Sequence, residues 1–191
     1  MTTIVVVRKG DTAVIAADSL TTFGTTRLAP AYDRHPEKVT KYGDSYLGVA
    51  GSAAHQLVLE NLLARTPNLA FHGKAAIYDS FRKLHPMLKD EAFLNPKEEE
   101  DDPYESSQMT VMIAKPSGIF AVYSMREVFE FDRFWAIGSG RGFALGAMYA
   151  AFDRAKTARE VAEIGVSAGC EFDKNSATPV KIQTIKLKTK E

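Results

Sequence analysis

The residues best placed to do chemistry stand at the start of the chain, Met1-Thr2-Thr3. If Met1 is removed, Thr2 carries a hydroxyl nucleophile and a free α-amine on one residue. Such an amine titrates at roughly 7.7–8.0, so much of it is neutral near physiological pH and can take a proton. A terminal threonine can therefore serve as nucleophile and base together. Other groups fit no familiar chemistry. The Gly138-Ser139-Gly140-Arg141-Gly142 turn lacks the Lys-Ser/Thr ending of a phosphate-binding loop. His35, His55, His72 and His85 are too scattered to suggest a metal site, and no cofactor is called for.

The elements that must position Thr2 follow from pattern. Residues 3–8 and 12–17, rich in β-branched and small apolar side chains, read as a hairpin around Lys9-Gly10-Asp11. Asp18 ends the second strand, where an ordinary strand-end cap would also stand. Residues 19–36 show no period and read as a loop with short extended pieces. A second hairpin spans residues 38–50. Ser52 is a plausible N-cap for a helix striped by Leu59, Leu62 and Leu63. A second helix is expected over residues 74–90, kinked or cut short at Pro86. Residues 95–107 form a polar insert carrying the acidic run 98–102, expected as a mobile solvated loop. Strands at 109–114, 119–124, 127–131 and 134–137 follow. Then come a helix over 142–153, a second opening on the capping box Thr157-x-x-Glu160 and running to about residue 168, and a last strand at 179–187.

Strand runs alternate with helix pairs rather than single helices, which argues against a doubly wound parallel sheet. The pattern favours an α+β fold, a four-layer αββα sandwich of two antiparallel sheets, with residues 1–191 as a single domain. The 24 basic and 24 acidic side chains cancel, so nothing points to nucleic acid or a membrane surface. Cys170 is the only cysteine and fits a reducing compartment. The apolar start is too short for a signal peptide and is followed, not preceded, by Arg8-Lys9. The expected place is the cytoplasm.

Five stretches carry a resemblance: Thr2-Thr3-Ile4-Val5, Val14-Ile15-Ala16-Ala17-Asp18-Ser19, Lys38-Val39, Gly48-Val49-Ala50-Gly51-Ser52-Ala53-Ala54 and Ile137-Gly138-Ser139-Gly140. In order and spacing the chain resembles the N-terminal nucleophile hydrolases, specifically proteasome β-type subunits and the HslV peptidase, and most of all the β-proteobacterial proteasome homologues. The resemblance implies a threonine-type endopeptidase with Thr2 as nucleophile. Asp18 and Lys38 would form a buried pair beside it, Gly51 would offer its N–H to the oxyanion, and Ser139 would orient the Thr2 amine. Thr22 would pair with the substrate main chain, and Thr21, Val49 and Ala53 would line the first specificity pocket. It further implies a homo-oligomer of stacked rings, two heptamers rather than two hexamers. Unfolded polypeptides would be the substrates, and an ATPase unfoldase the partner.

The chain departs from that pattern in four places. The Asp18–Lys38 spacing is two residues long, and the acidic insert has no counterpart. Residues 171–173 replace the usual approach to the last strand. An Asp and a Ser expected in the last helix fall on Gly165 and Ala168. Two alternatives therefore stand beside the peptidase: a ring-forming scaffold with weak or no activity, and a small-substrate amidase on the same fold.

Overall fold

A computed structural model describes residues 2–97 and 99–188. The elements run β1 (Thr3–Lys9), β2 (Thr12–Ala17), β3 (Thr21–Phe23), β4 (Thr26–Leu28), β5 (Val39–Tyr42), β6 (Ser45–Ala50), α1 (Ala53–Arg65), α2 (Lys74–Pro86), β7 (Thr110–Lys115), β8 (Gly118–Val122), β9 (Val128–Phe131), β10 (Phe134–Gly138), α3 (Arg141–Ala151), α4 (Ala158–Phe172) and β11 (Lys181–Lys186). Two antiparallel sheets dominate, in the orders β10-β1-β2-β11 and β5-β6-β7-β8-β9. A small third sheet pairs β3 with β4.

The near-continuous apolar run of β1 is explained by its place in the layers. Successive strand residues point to opposite faces. Val5 and Val7 pack against Ala144 and Met148 of α3 and Val161 and Val166 of α4. Ile4 and Val6 point the other way, onto Met112, Ile119 and Ala121 of the second sheet. Across that sheet, Val111, Ile113, Phe120 and Val122 meet Leu59, Leu62, Ile77, Phe81 and Leu84 of α1 and α2. The result is the αββα sandwich, with β1 buried on both faces. Each such fully buried side chain contributes about 1.5–3 kcal/mol by removal from water.

The helix ends behave as their residues dictate. Ser52 caps α1 by accepting from the Ala54 N–H at 3.4 Å, and the His55 ring reaches back to accept from the Ser52 N–H at 3.1 Å. Thr157 accepts from the Glu160 N–H, but the Glu160 carboxylate reaches Lys156 rather than the cap residue itself. α2 ends at Pro86, and one turn of π-helix over Met87–Glu91 carries the chain onward. Proline has no N–H to give to the turn before it, and a local widening accommodates that loss.

Two stretches are more defined than their sequence shows. Part of the aperiodic stretch after Asp18 is a true hairpin, β3–β4, whose strands are too short to show a period. The polar insert is tied at its base. Gln108 Nε2 donates to the carbonyls of Asn95 (2.5 Å) and Lys97 (2.9 Å), and the Ser106 N–H donates to Pro96 O at 2.8 Å. Of the acidic run, Glu98 lies outside the described residues, while Glu99, Glu100 and Asp101 stand exposed.

Candidate active site

The site begins with strand register. β1 and β2 pair Ile4 with Ala17, which sets the residues before Ile4 against the residue after Ala17. The Asp18 N–H donates to Thr3 O at 3.2 Å, and the Asp18 carboxylate turns back toward the first residues. Its Oδ1 accepts from Thr2 Oγ1 at 2.5 Å, the Thr3 N–H at 3.0 Å and Lys38 Nζ at 2.9 Å. Its Oδ2 accepts from Lys38 Nζ at 3.0 Å, the Leu20 N–H at 2.9 Å and the Ala177 N–H at 3.2 Å. Asp18 is wholly buried. A carboxylate out of water needs this density of donors.

Lys38 enters from just before β5 and also donates to Leu20 O at 2.6 Å. Burial pushes its ammonium below the ordinary lysine range, and the charge and hydrogen bonds of Asp18 oppose that shift. The two extra residues between Asp18 and Lys38 do not part the pair. The intervening segment folds into β3–β4 and a single 3-10 turn at Pro30–Tyr32, and the lysine still reaches the carboxylate.

The other flank of Thr2 is the turn between β10 and α3. Thr3 pairs with Gly138, and the Gly140 N–H donates to Thr2 O at 3.4 Å. Gly138 has φ +91°, and a Cβ there would fall 2.0 Å from Thr2 O. Only glycine allows the turn to press so closely on that carbonyl. Ser139 Oγ lies 3.4 Å from Thr2 O and donates to Asp173 Oδ2 at 2.6 Å. Ser176 Oγ donates to the same oxygen at 2.8 Å, and the Asn175 N–H and side-chain amide supply Oδ1 at 3.2 and 3.3 Å. Burial alone would raise the Asp173 carboxyl, but the Ser139 and Ser176 hydroxyls and the Asn175 N–H hold it below its ordinary value.

This corrects the assignment of the Asp and Ser positions to Gly165 and Ala168. An acid and a hydroxyl with the same spacing of three, Asp173 and Ser176, stand eight residues further on and converge on Ser139. The expected end of the last helix near residue 168 was four residues short, because α4 runs to Phe172. Gly169 reads as a stop but lies inside the helix. A Cβ there would fall 2.4 Å from Thr3 Oγ1, so its bareness serves a tertiary contact. Gly165 has a packing reason of its own, since a Cβ would fall 2.5 Å from Met148 Cγ. The signal that could have found the pair is Asp173-x-x-Ser176 ahead of the last strand.

The remaining residues lie at one end of β6 and on β3. Gly48 touches Ile4, whose Cγ2 would be 3.0 Å from a Cβ at 48, so the two sheets approach closely there. Val49 is half-buried, packed against the α1–α2 core. Gly51 and Ala53 flank the Ser52 cap and are exposed. A Cβ on Gly51 would fall 2.6 Å from His55 Nδ1, which gives that glycine a local reason as well. Thr21 and Thr22 are half-buried on β3, with Thr22 opposite Arg27. Hydrogen bonds thus join Thr2, Asp18 and Lys38 directly, and Ser139 Oγ lies 3.4 Å from the Thr2 carbonyl.

No protein-family model matches the chain, and none of the curated proteins does. Solved structures do. BPH from Thiobacillus denitrificans superposes with a TM-score of 0.92, at 39% identity alone and 38% in its complex with epoxomicin, and covers 98% of this chain and 100% of that one. Eukaryotic HslV from Trypanosoma brucei superposes at 0.71 with 23% identity over 96% of this chain and 99% of that one, a likeness of fold. The chain therefore belongs to the bacterial proteasome homologues, N-terminal nucleophile hydrolases with the αββα fold shared by HslV.

Proposed function

We propose that the chain is a threonine peptidase subunit of a self-compartmentalised proteasome-like complex, acting through Thr2 after Met1 is removed. The observation that carries this is the shared oxygen: the Thr2 hydroxyl and the Lys38 ammonium both donate to Asp18 Oδ1. The nucleophile and a buried cation are held by one acceptor.

The chemistry follows from those positions. Removal of Met1 converts the Thr2 amide into an amine. Ser139 gives its hydroxyl hydrogen to Asp173, so in the role that the family resemblance gives it, orienting that amine, it would act as an acceptor. The Lys38 ammonium lowers the cost of negative charge on Thr2 Oγ1. The hydroxyl proton passes to the amine as the oxygen attacks a peptide carbonyl, and the Gly51 N–H receives the oxyanion. The C–N bond breaks, the protonated amine returns its proton to the leaving amine, and an ester remains on Thr2. Water, activated by the same amine, hydrolyses it.

β3 is hydrogen-bonded to β4 on one side only within its two-stranded sheet. Its other edge suits an extended substrate added as a strand along Thr22. Thr21, Val49 and Ala53 would then line a small, mainly apolar first pocket. Three core clusters share the two sheets, which supports reading residues 1–191 as one proteasome-β-like domain. For the assembly we infer a homo-oligomer of two stacked heptameric rings with the sites facing inward, fed with unfolded chains by an ATPase unfoldase in the cytoplasm. No helix among the described residues is long and apolar enough to cross a membrane. The scaffold reading loses its motive, since it rested on Gly165 and Ala168.

Intact-mass analysis tests the reading. The purified chain should lack Met1 and gain one peptide-epoxyketone adduct on Thr2. Apolar fluorogenic peptides should be cleaved, and Thr2→Ala should abolish both. Retention of Met1 in active protein overturns the mechanism.

A further inference from the structure

Thr3 is wholly buried, yet it is polar and sits one residue beyond the proposed nucleophile. Its backbone belongs to one half of the site: its N–H donates to Asp18 Oδ1 at 3.0 Å, and its carbonyl accepts from the Asp18 N–H at 3.2 Å. Its side chain belongs to the other half, with Thr3 Oγ1 lying 2.8 Å from Ser176 Oγ. Ser176 has one hydroxyl hydrogen and spends it on Asp173 Oδ2, so Thr3 is the donor of that bond. The order of donation is therefore Thr3 to Ser176, Ser176 to Asp173, with Ser139 donating to the same Asp173 oxygen.

The side chain also occupies a slot built for it. A Cβ on Gly140 would fall 2.0 Å from Thr3 Oγ1, and one on Gly169 would fall 2.4 Å from Oγ1 and 2.5 Å from Cγ2. The turn before α3 and helix α4 thus leave out a side chain each where they meet this one residue, so its rotamer is fixed from both sides.

We propose that Thr3 is a positioning residue for the reaction. Through Ser176 and Asp173 its hydroxyl fixes Ser139, whose Oγ stands 3.4 Å from the Thr2 carbonyl, while its backbone fixes Asp18, so the two halves of the site are set relative to each other by one residue. This rests on the assignment of Thr2 as nucleophile. Thr3 touches neither substrate nor the reacting atoms. A side chain of the same shape without the hydroxyl keeps the slot filled and cuts the link.

The experiment compares the unsubstituted chain with Thr3→Val, Thr3→Ser and Ser176→Ala in kcat, KM, pH profile and rate of epoxyketone addition. We expect Thr3→Val to lower kcat and the addition rate by about tenfold or more with KM little changed, as misplacement of a reacting group does. The acid limb of its pH profile should also move. Thr3→Ser should recover most of the rate. If Thr3→Val fails to assemble, Ser176→Ala breaks the same link from its other end and should show the same displaced limb. Unchanged kcat and pH profile in an assembled Thr3→Val, or in Ser176→Ala, overturns the proposal for Thr3 alone. Failure of the unsubstituted chain to form an adduct at Thr2 overturns the nucleophile assignment and this inference together.

Discussion

Lys38 Nζ meets both oxygens of the Asp18 carboxylate, at 2.9 and 3.0 Å, and Asp18 has no exposure to solvent. A buried pair of this kind is poor evidence of stabilisation, because the attraction is offset by the loss of hydration of both ions. Its value lies in the geometry that it imposes on Thr2.

That distinction can be measured. Lys38→Met leaves a buried carboxylate without its cation and should cost about 3–5 kcal/mol of stability. Asp18→Asn added to it should return part of that loss, because the uncompensated charge is gone. Both single variants and the double variant should be catalytically silent. Denaturant unfolding and peptide hydrolysis, run on the same preparations, separate the two effects.

Asp173 should act through Ser139. Asp173→Asn removes the charged acceptor of the Ser139 hydroxyl and should lower kcat by about a hundredfold, in line with loss of orientation at a reacting group. The native carboxyl is held below its ordinary value of 3.8. The stability that it contributes is therefore complete above that value and is lost as pH falls through the lower, folded one. Acid titration of unfolding should show a smaller acid-side loss in Asp173→Asn than in the unsubstituted chain.

His55 gives a second pH dependence, at the loop that carries Gly51. Burial pushes its imidazole below the ordinary 6.5, and Nδ1 accepts from the Ser52 N–H. Protonation removes that acceptor. The folded state is therefore penalised as pH falls below 6.5, and the penalty is complete once pH is beneath the folded value. The fall in melting temperature between neutral and mildly acid pH should be smaller in His55→Gln, whose amide oxygen can still accept but does not titrate there.

Cys170 should be a poor thiol. Burial, with the Asp18 charge adding to it, pushes it up from 9.0 to about 11. At mildly alkaline pH it is almost wholly protonated, and the thiolate is the reactive form. Iodoacetamide should modify the native protein far more slowly than the unfolded one. The raised value also means that folding holds this proton, so the associated stability is intact below 9.0 and erodes as pH rises toward 11.

The fold was legible where each layer leaves its own period. β1 reads as unbroken apolar sequence because both its faces are covered. Ser52 and Thr157 announce the starts of α1 and α4 because a cap acts within one turn. Asp18 and Lys38 were named from a resemblance, and no local pattern showed that they touch. Asp173 and Ser176 were missed for a physical reason. Gly169 imitates a helix end when read locally, and the side chain that requires it belongs to Thr3, at the opposite end of the chain. The β3–β4 hairpin escaped notice because a strand of three residues is too short for alternation to register.

β1 is hydrogen-bonded on both edges, to β10 and to β2, as well as covered on both faces. A strand clamped on four sides cannot shift its register. An inserted residue between positions 2 and 3 would consequently turn the Thr2 hydroxyl away from Asp18 while every other residue kept its place.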